Sequence, residues 1–128
     1  MKAIKVLIVD DSAVMRKIVE RCLRQAGIDV KEVVEASNGI EGLAAVKAGP
    51  VDLILSDINM PAMDGLEFLQ GLRGEANASN TPVIMITTEG SESRVVEALT
   101  AGARGYIRKP FTPDQVKERV TPLLEAMR

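Results

Sequence analysis

Val51-Asp52-Leu53-Ile54-Leu55-Ser56-Asp57 is an apolar run that ends on one acid, Asp57, and is followed by Ile58-Asn59-Met60-Pro61, which does not continue regular structure easily. The run predicts a strand over Val51–Ser56, buried on both faces, that delivers a carboxylate to its C-terminal tip. Asp57 either caps the loop that follows or is a reactive carboxylate. The residues at the ends of the other strands decide between the two.

Working outward, the chain alternates. Ile4–Val9 is a β-branched apolar strand that stops at Asp10-Asp11-Ser12. A helix follows, with Met15, Val19, Cys22, Leu23 and Ala26 on one face, and ends at Gly27. Val30–Ala36 is a strand of mixed polarity, suited to a sheet edge. Asn38 and Glu41 resemble a capping box before a second helix carrying Ile40, Leu43, Ala44 and Val46 and ending at Gly49-Pro50. After the Asp57 loop, Asp64 N-caps a third helix with Leu66, Leu69 and Leu72 inward. Pro82–Thr87 is a fourth apolar strand, and Ser91–Ala101 a fourth helix with Val95, Val96 and Leu99. Ala103–Arg108 is a short fifth strand before Lys109-Pro110-Phe111. Thr112-Pro113-Asp114-Gln115 opens a fifth helix with a Thr cap, Pro at the first helical position and Gln closing the box. That helix carries Val116, Val120, Leu123, Leu124 and Met127, and Pro122 within it predicts a kink or break near Thr121.

Strand then helix, repeated along the chain, implies an α/β fold: a doubly wound parallel sheet with helices on both faces, in one domain over residues 1–128. Right-handed crossovers leave few strand orders. In the order 2-1-3-4-5 the first and third strands are neighbours and flank the point where ligands bind beyond the strands' carboxyl ends. Asp10, Asp11 and Asp57 then crowd one pocket, with Thr87 and Lys109 at neighbouring strand ends.

Three carboxylates in one pocket repel unless a cation or proton relieves them. An all-oxygen donor set favours Mg²⁺ or a similar hard ion, which keeps waters and leaves room for a phosphate oxygen. Lys109 supplies a fixed positive charge on the other side, and the Thr87 hydroxyl a hydrogen bond to an incoming oxygen. Such a surround stabilises a phosphoryl group in transfer, with the carboxylate as nucleophile.

Composition narrows the classes. The 128 residues carry 16 basic and 18 acidic side chains, a net charge of −2, which argues against a nucleic-acid binder. With no His there is no imidazole metal ligand, general base or phosphohistidine in the chain. The lone Cys22 excludes an internal disulfide and reads as a small buried hydrophobe. No apolar run approaches the ~20 residues of a membrane span, and Ile4–Val9 is too short for a signal-peptide core. A cytoplasmic location is expected.

Asp10-Asp11 after the first strand, Asp57 after the third, Thr87 after the fourth and Lys109-Pro110 after the fifth resemble the receiver domain of bacterial response regulators. Asn59-Met60-Pro61-Ala62-Met63-Asp64-Gly65 and Gly105-Tyr106-Ile107-Arg108-Lys109-Pro110-Phe111 look most like the stand-alone chemotaxis regulators of that family, and the resemblance covers essentially the whole chain. It implies the flavodoxin-like (βα)5 order 2-1-3-4-5, which spacing alone does not single out.

It further implies that Asp57 accepts a phosphoryl group from a histidine kinase. Mg²⁺ would be held by Asp11, Asp57 and the Asn59 carbonyl, with Asp10 assisting through water. Lys109 would pair with phosphoryl oxygens. Thr87 would move toward them and Tyr106 would rotate inward as the switch. Asn59 and Glu89 match positions that tune phosphoryl loss, and the Lys109–Pro110 bond would be cis. Two residues depart from the pattern: Ile58 stands where some chemotaxis regulators have Trp, and Thr88 where Ala is common.

The expected function is a monomeric, phosphorylation-dependent switch of a two-component system. Its output partner, in the chemotaxis reading a flagellar motor component, docks on the face of helix 4, strand 5 and helix 5, and a phosphatase is a further candidate partner. With no output domain after the last helix, it would act by docking or by passing phosphate onward, as a phosphorelay intermediate or phosphate sink. A hydrolase with an aspartyl nucleophile needs a second acid two residues after Asp57, where Asn59 stands. A flavin phosphate would be repelled by Asp10-Asp11.

Overall fold

The computed structural model describes residues 3–88 and 92–126. Glu89, the expected helix start at Ser91, and Met127 lie outside the described residues. The elements are β1 (Ile4–Val9), α1 (Ala13–Gln25), β2 (Val30–Ala36), α2 (Gly39–Ala48), β3 (Leu53–Asp57), α3 (Gly65–Arg73), β4 (Val83–Thr87), α4 (Glu92–Thr100), β5 (Gly105–Arg108) and α5 (Pro113–Ala126). All strand pairs are parallel and the order is β2-β1-β3-β4-β5.

The apolar runs form the interior for the expected reason. β1, β3 and β4 lie between two strands each, and their side chains feed two separate cores. On one face Ile8, Leu55 and Ile84 pack with Val19 and Leu23 of α1 and Val116 and Val120 of α5. On the other, Leu7, Ile54 and Met85 pack with Val46 of α2 and Phe68 and Leu69 of α3. Each such fully buried side chain contributes ~1.5–3 kcal/mol of transfer free energy. β2 is an edge strand with outward Lys31, Glu32 and Glu35, as its mixed polarity predicts.

The helix ends follow their caps. Asp64 and Glu67 form a complete capping box at α3. The Thr112 hydroxyl accepts from the Gln115 amide at 3.2 Å, and the Gln115 side chain accepts from the Thr112 amide at 2.9 Å. At α2 the box is displaced: Asn38 accepts from the Glu41 amide, but the Glu41 carboxylate turns back to the Ser37 amide.

Several expectations need correction: β4 begins at Val83 rather than Pro82 and β5 at Gly105 rather than Ala103. The regular part of β3 begins at Leu53 rather than Val51, because Asp52 ties off the sheet end: its amide donates to the Lys5 carbonyl and its carboxylate accepts from the Lys5 amide, each at 2.8 Å. α4 ends at Thr100 rather than Ala101, and of its apolar residues Ala98 is buried while Val96 and Leu99 are 58% and 44% exposed. Finally, of the kink or break expected near Thr121, the break is absent: α5 continues through Pro122 to Ala126. Buried Val116, Val120 and Leu124 clamp the helix on both sides of Pro122. The carbonyl that loses its donor belongs to exposed Glu118, where water can replace it.

Candidate phosphoacceptor site

β1 and β3 are hydrogen-bonded neighbours, with Val9 opposite Ser56, so the acids that follow each strand arrive side by side. One carboxylate oxygen from each of Asp10, Asp11 and Asp57 lies within 4.8 Å of the others. Asp10 is 3% exposed, whereas Asp11 is exposed. Asp57 sits at the end of β3, held by the loop: the Ile58 amide donates to its Oδ1 at 2.8 Å. That loop folds back tightly, with the Gly65 amide donating to the Ile58 carbonyl at 2.7 Å. A methyl group at Gly65 would run into the Asp57 main-chain oxygen and lie 2.8 Å from Ile58 Cα, so this approach requires glycine.

Lys109 reaches in from the end of β5. Its ammonium donates to Asp10 Oδ2 at 3.0 Å and to Asp57 Oδ2 at 3.4 Å. The expectation of a lysine on the far side of the pocket is thereby sharpened: Lys109 bridges the buried Asp10 and the half-buried Asp57. Burial pushes the Asp57 carboxyl up from its ordinary value; Lys109 opposes this, the Asp10 charge adds to it, and the Ile58 amide opposes it. The Lys109–Pro110 bond is cis, as the resemblance implies.

The donor set fits a hard divalent ion. It is oxygen only, and the acids differ in their freedom to coordinate. Both oxygens of Asp10 are engaged, Oδ1 by the Ser12 amide at 2.9 Å and Oδ2 by Lys109. The Asp11 carboxylate makes no hydrogen bond or ion pair among the described residues.

The structure thus brings together Asp10, Asp11, Asp57 and Lys109. Thr87 is fully buried at the end of β4, next to β5. Tyr106 faces outward, 36% exposed, with the Arg119 guanidinium 5.9 Å from its ring centre. Asn59 is exposed on the loop after β3. The parts that two residues play in shaping the site escaped the sequence. Gly65 is legible as the end of the Asn59–Gly65 stretch, but nothing in that stretch says that it packs against the Asp57 main-chain oxygen. Arg16 donates to the Asp10 carbonyl at 2.6 Å, and its partner is backbone, which leaves no sequence signal.

A family model for the response regulator receiver domain matches residues 6–121. Chemotaxis protein CheY-3 of Vibrio cholerae serotype O1 is 39% identical over 126 residues, covering 98% of this chain and 95% of that protein. Among solved structures, Vibrio cholerae chemotaxis protein CheY4 superposes with a TM-score of 0.84 at 38% identity, covering 95% of this chain and 99% of that one. A CheX–CheY–BeF3–Mg complex from Borrelia burgdorferi contains a chain matching with a TM-score of 0.82 at 32% identity, over 94% of this chain and 88% of that one. These regulators are signalling switches rather than metabolic enzymes, and among the described residues no helix is long and apolar enough to cross a membrane. An α/β sheet in the order 2-1-3-4-5 with three acids and a lysine at its β1/β3 crevice belongs, with these relatives, to the response regulator receiver domain family, in its CheY-like form.

Proposed function

We propose that this chain is a single-domain receiver whose Asp57 is the phosphoacceptor. The observation that carries the proposal is the meeting of Asp10, Asp11 and Asp57 at the switch point of the sheet, with the Lys109 ammonium on Asp10 and Asp57. In the transfer, an Asp57 carboxylate oxygen forms a bond to phosphorus as the bond from phosphorus to the kinase imidazole breaks, leaving an acyl phosphate on Asp57 and a neutral histidine on the donor. Lys109, already 3.4 Å from Asp57 Oδ2, offers its ammonium to the new phosphoryl oxygens. Mg²⁺ would be held by Asp11, Asp57 and the Asn59 carbonyl, with Asp10 acting through water, since both Asp10 oxygens are already engaged. Bound there, it would neutralise the carboxylates and the incoming phosphoryl oxygens. A relative seen together with BeF3 and Mg supports this assignment.

Thr87 and Tyr106 are the proposed switch pair, Tyr106 in its outward position. The output surface is the face of α4, β5 and α5, where Val96, Leu99 and Tyr106 stay exposed although apolar. We assign the output to chemotaxis, with a flagellar motor component as docking partner, a histidine kinase as donor and the cytoplasm as location. Chemotaxis relatives support this, and a relative's complex with CheX supports a further partner of that kind.

The test is to incubate the protein with a small acyl phosphate and Mg²⁺ and locate the added mass by intact and peptide analysis. A single adduct on Asp57, lost in Asp57→Asn and strongly reduced in Lys109→Ala, is expected. An adduct elsewhere, or none on the wild type, would overturn the assignment.

A further inference from the structure

Asp10 is held at every polar atom. Its amide donates to the Ala36 carbonyl at 3.0 Å, Oδ1 and Oδ2 accept from Ser12 and Lys109, and its main-chain oxygen accepts from Arg16 Nη1 at 2.6 Å. Asp11 is the opposite case: exposed, with no bond to its carboxylate among the described residues. What restrains Asp11 is therefore its two flanking peptides: the one to Ser12, held through the Ser12 amide on Asp10 Oδ1, and the one to Asp10, held at the Asp10 carbonyl. A peptide is planar, so fixing the Asp10 carbonyl fixes the plane from which the Asp11 side chain departs.

Arg16 does the fixing from the first turn of α1. While Nη1 holds the Asp10 carbonyl, Nε donates to Glu35 Oε1 on β2 at 2.8 Å. The other Glu35 oxygen accepts from Lys17 at 2.9 Å, so Glu35 is itself anchored. The Arg16 side chain is only 16% exposed. The two guanidinium bonds point to different elements, a planar fork that a lysine ammonium does not reproduce.

We infer that Arg16 is a positioning residue: its guanidinium, braced on Glu35, orients the Asp10–Asp11 peptide and so sets where Asp11 presents its carboxylate to a divalent cation. This rests on the proposed metal-assisted phosphoacceptor site. Arg16 also brings a positive charge near the acids, which opposes cation binding. The two effects have opposite signs. Loss of the charge alone tightens binding, and loss of the brace weakens it.

Titration calorimetry of the full chain with MgCl₂ separates them, alongside metal-free melting curves and amide hydrogen exchange at Ser12. Arg16→Gln and Arg16→Lys are both expected to weaken Mg²⁺ binding by ~10-fold, the scale for losing a group that orients a ligand. Exchange at Ser12, whose amide is held on Asp10 Oδ1, should quicken while the metal-free melting temperature changes little. Glu35→Gln should shift affinity the same way by less, and its effect should vanish in the Arg16→Gln background. Wild-type or tighter affinity in Arg16→Gln, or wild-type affinity in Arg16→Lys, would overturn the inference. Should Arg16→Gln fail to fold, unchanged affinity in Glu35→Gln overturns it equally. A wild type that binds no Mg²⁺ would instead sink the metal-assisted site itself.

Discussion

Ala62 is the only non-glycine residue with a positive φ, +65°, among the described residues. It sits at the centre of a three-residue turn in which the Met63 amide donates to the Pro61 carbonyl at 2.7 Å. A Cβ in this region costs ~1–2 kcal/mol, while glycine gives back part of that in unfolded-state entropy. Ala62→Gly should therefore stabilise the protein by about 0.5–1 kcal/mol in a urea melt. The sequence offered no hint of it, because alanine is unremarkable in a loop until its φ is known. Asp57 stands at the other extreme of legibility: a lone acid closing an apolar strand is visible from hydropathy alone. Its buried charge is held at a cost, so Asp57→Asn should raise the metal-free melting temperature by a few degrees at neutral pH, as read by circular dichroism. A lower melting temperature would speak against strained acids in the pocket.

Elements were legible where local chemistry decides them. The capped starts of α3 and α5 lie where Asp64 and Thr112 place them, since a cap is a contact between residues three apart. α5 beyond its cap was not, because the cost of Pro122 is local and the packing that overrides it is tertiary. Pro122→Ala should raise stability, by up to ~3 kcal/mol if the helix relaxes to regular geometry. An unchanged denaturation midpoint would mean that the surrounding turn is already adapted to proline. The outward Val96 and Leu99 of α4 escaped for a related reason: helical periodicity marks an apolar face without saying whether anything covers it.

At the scale of the molecule, the alternation of strands and helices fixed the class, but the order of the strands came from resemblance. Crossover rules prune the orders without choosing among them. The charges gathered by that order make stability depend on solution conditions. Mg²⁺ at 100 times its dissociation constant should add about 2.7 kcal/mol by mass action, and the response should disappear in Asp11→Asn, which differential scanning fluorimetry would show. The Glu35 carboxyl is held below the ordinary glutamate range by the Lys17 ammonium and the Arg16 guanidinium. A group depressed in this way stabilises the fold above its unfolded pKa, and that contribution fades as pH falls through the folded value. Glu35→Gln should accordingly flatten the acid limb of the stability profile while costing little, since the pair is partly exposed.

The placement of Tyr106 has an optical consequence. The chain contains one Tyr and no Trp, so a single phenol dominates its near-ultraviolet absorption and emission. That phenol lies on the proposed output face, beneath the Arg119 guanidinium. Any event that turns the ring inward, or that covers it with a partner, changes the surroundings of the only such chromophore. Unlabelled protein therefore carries its own single-site probe, and stopped-flow tyrosine emission would follow the switch without an introduced tryptophan.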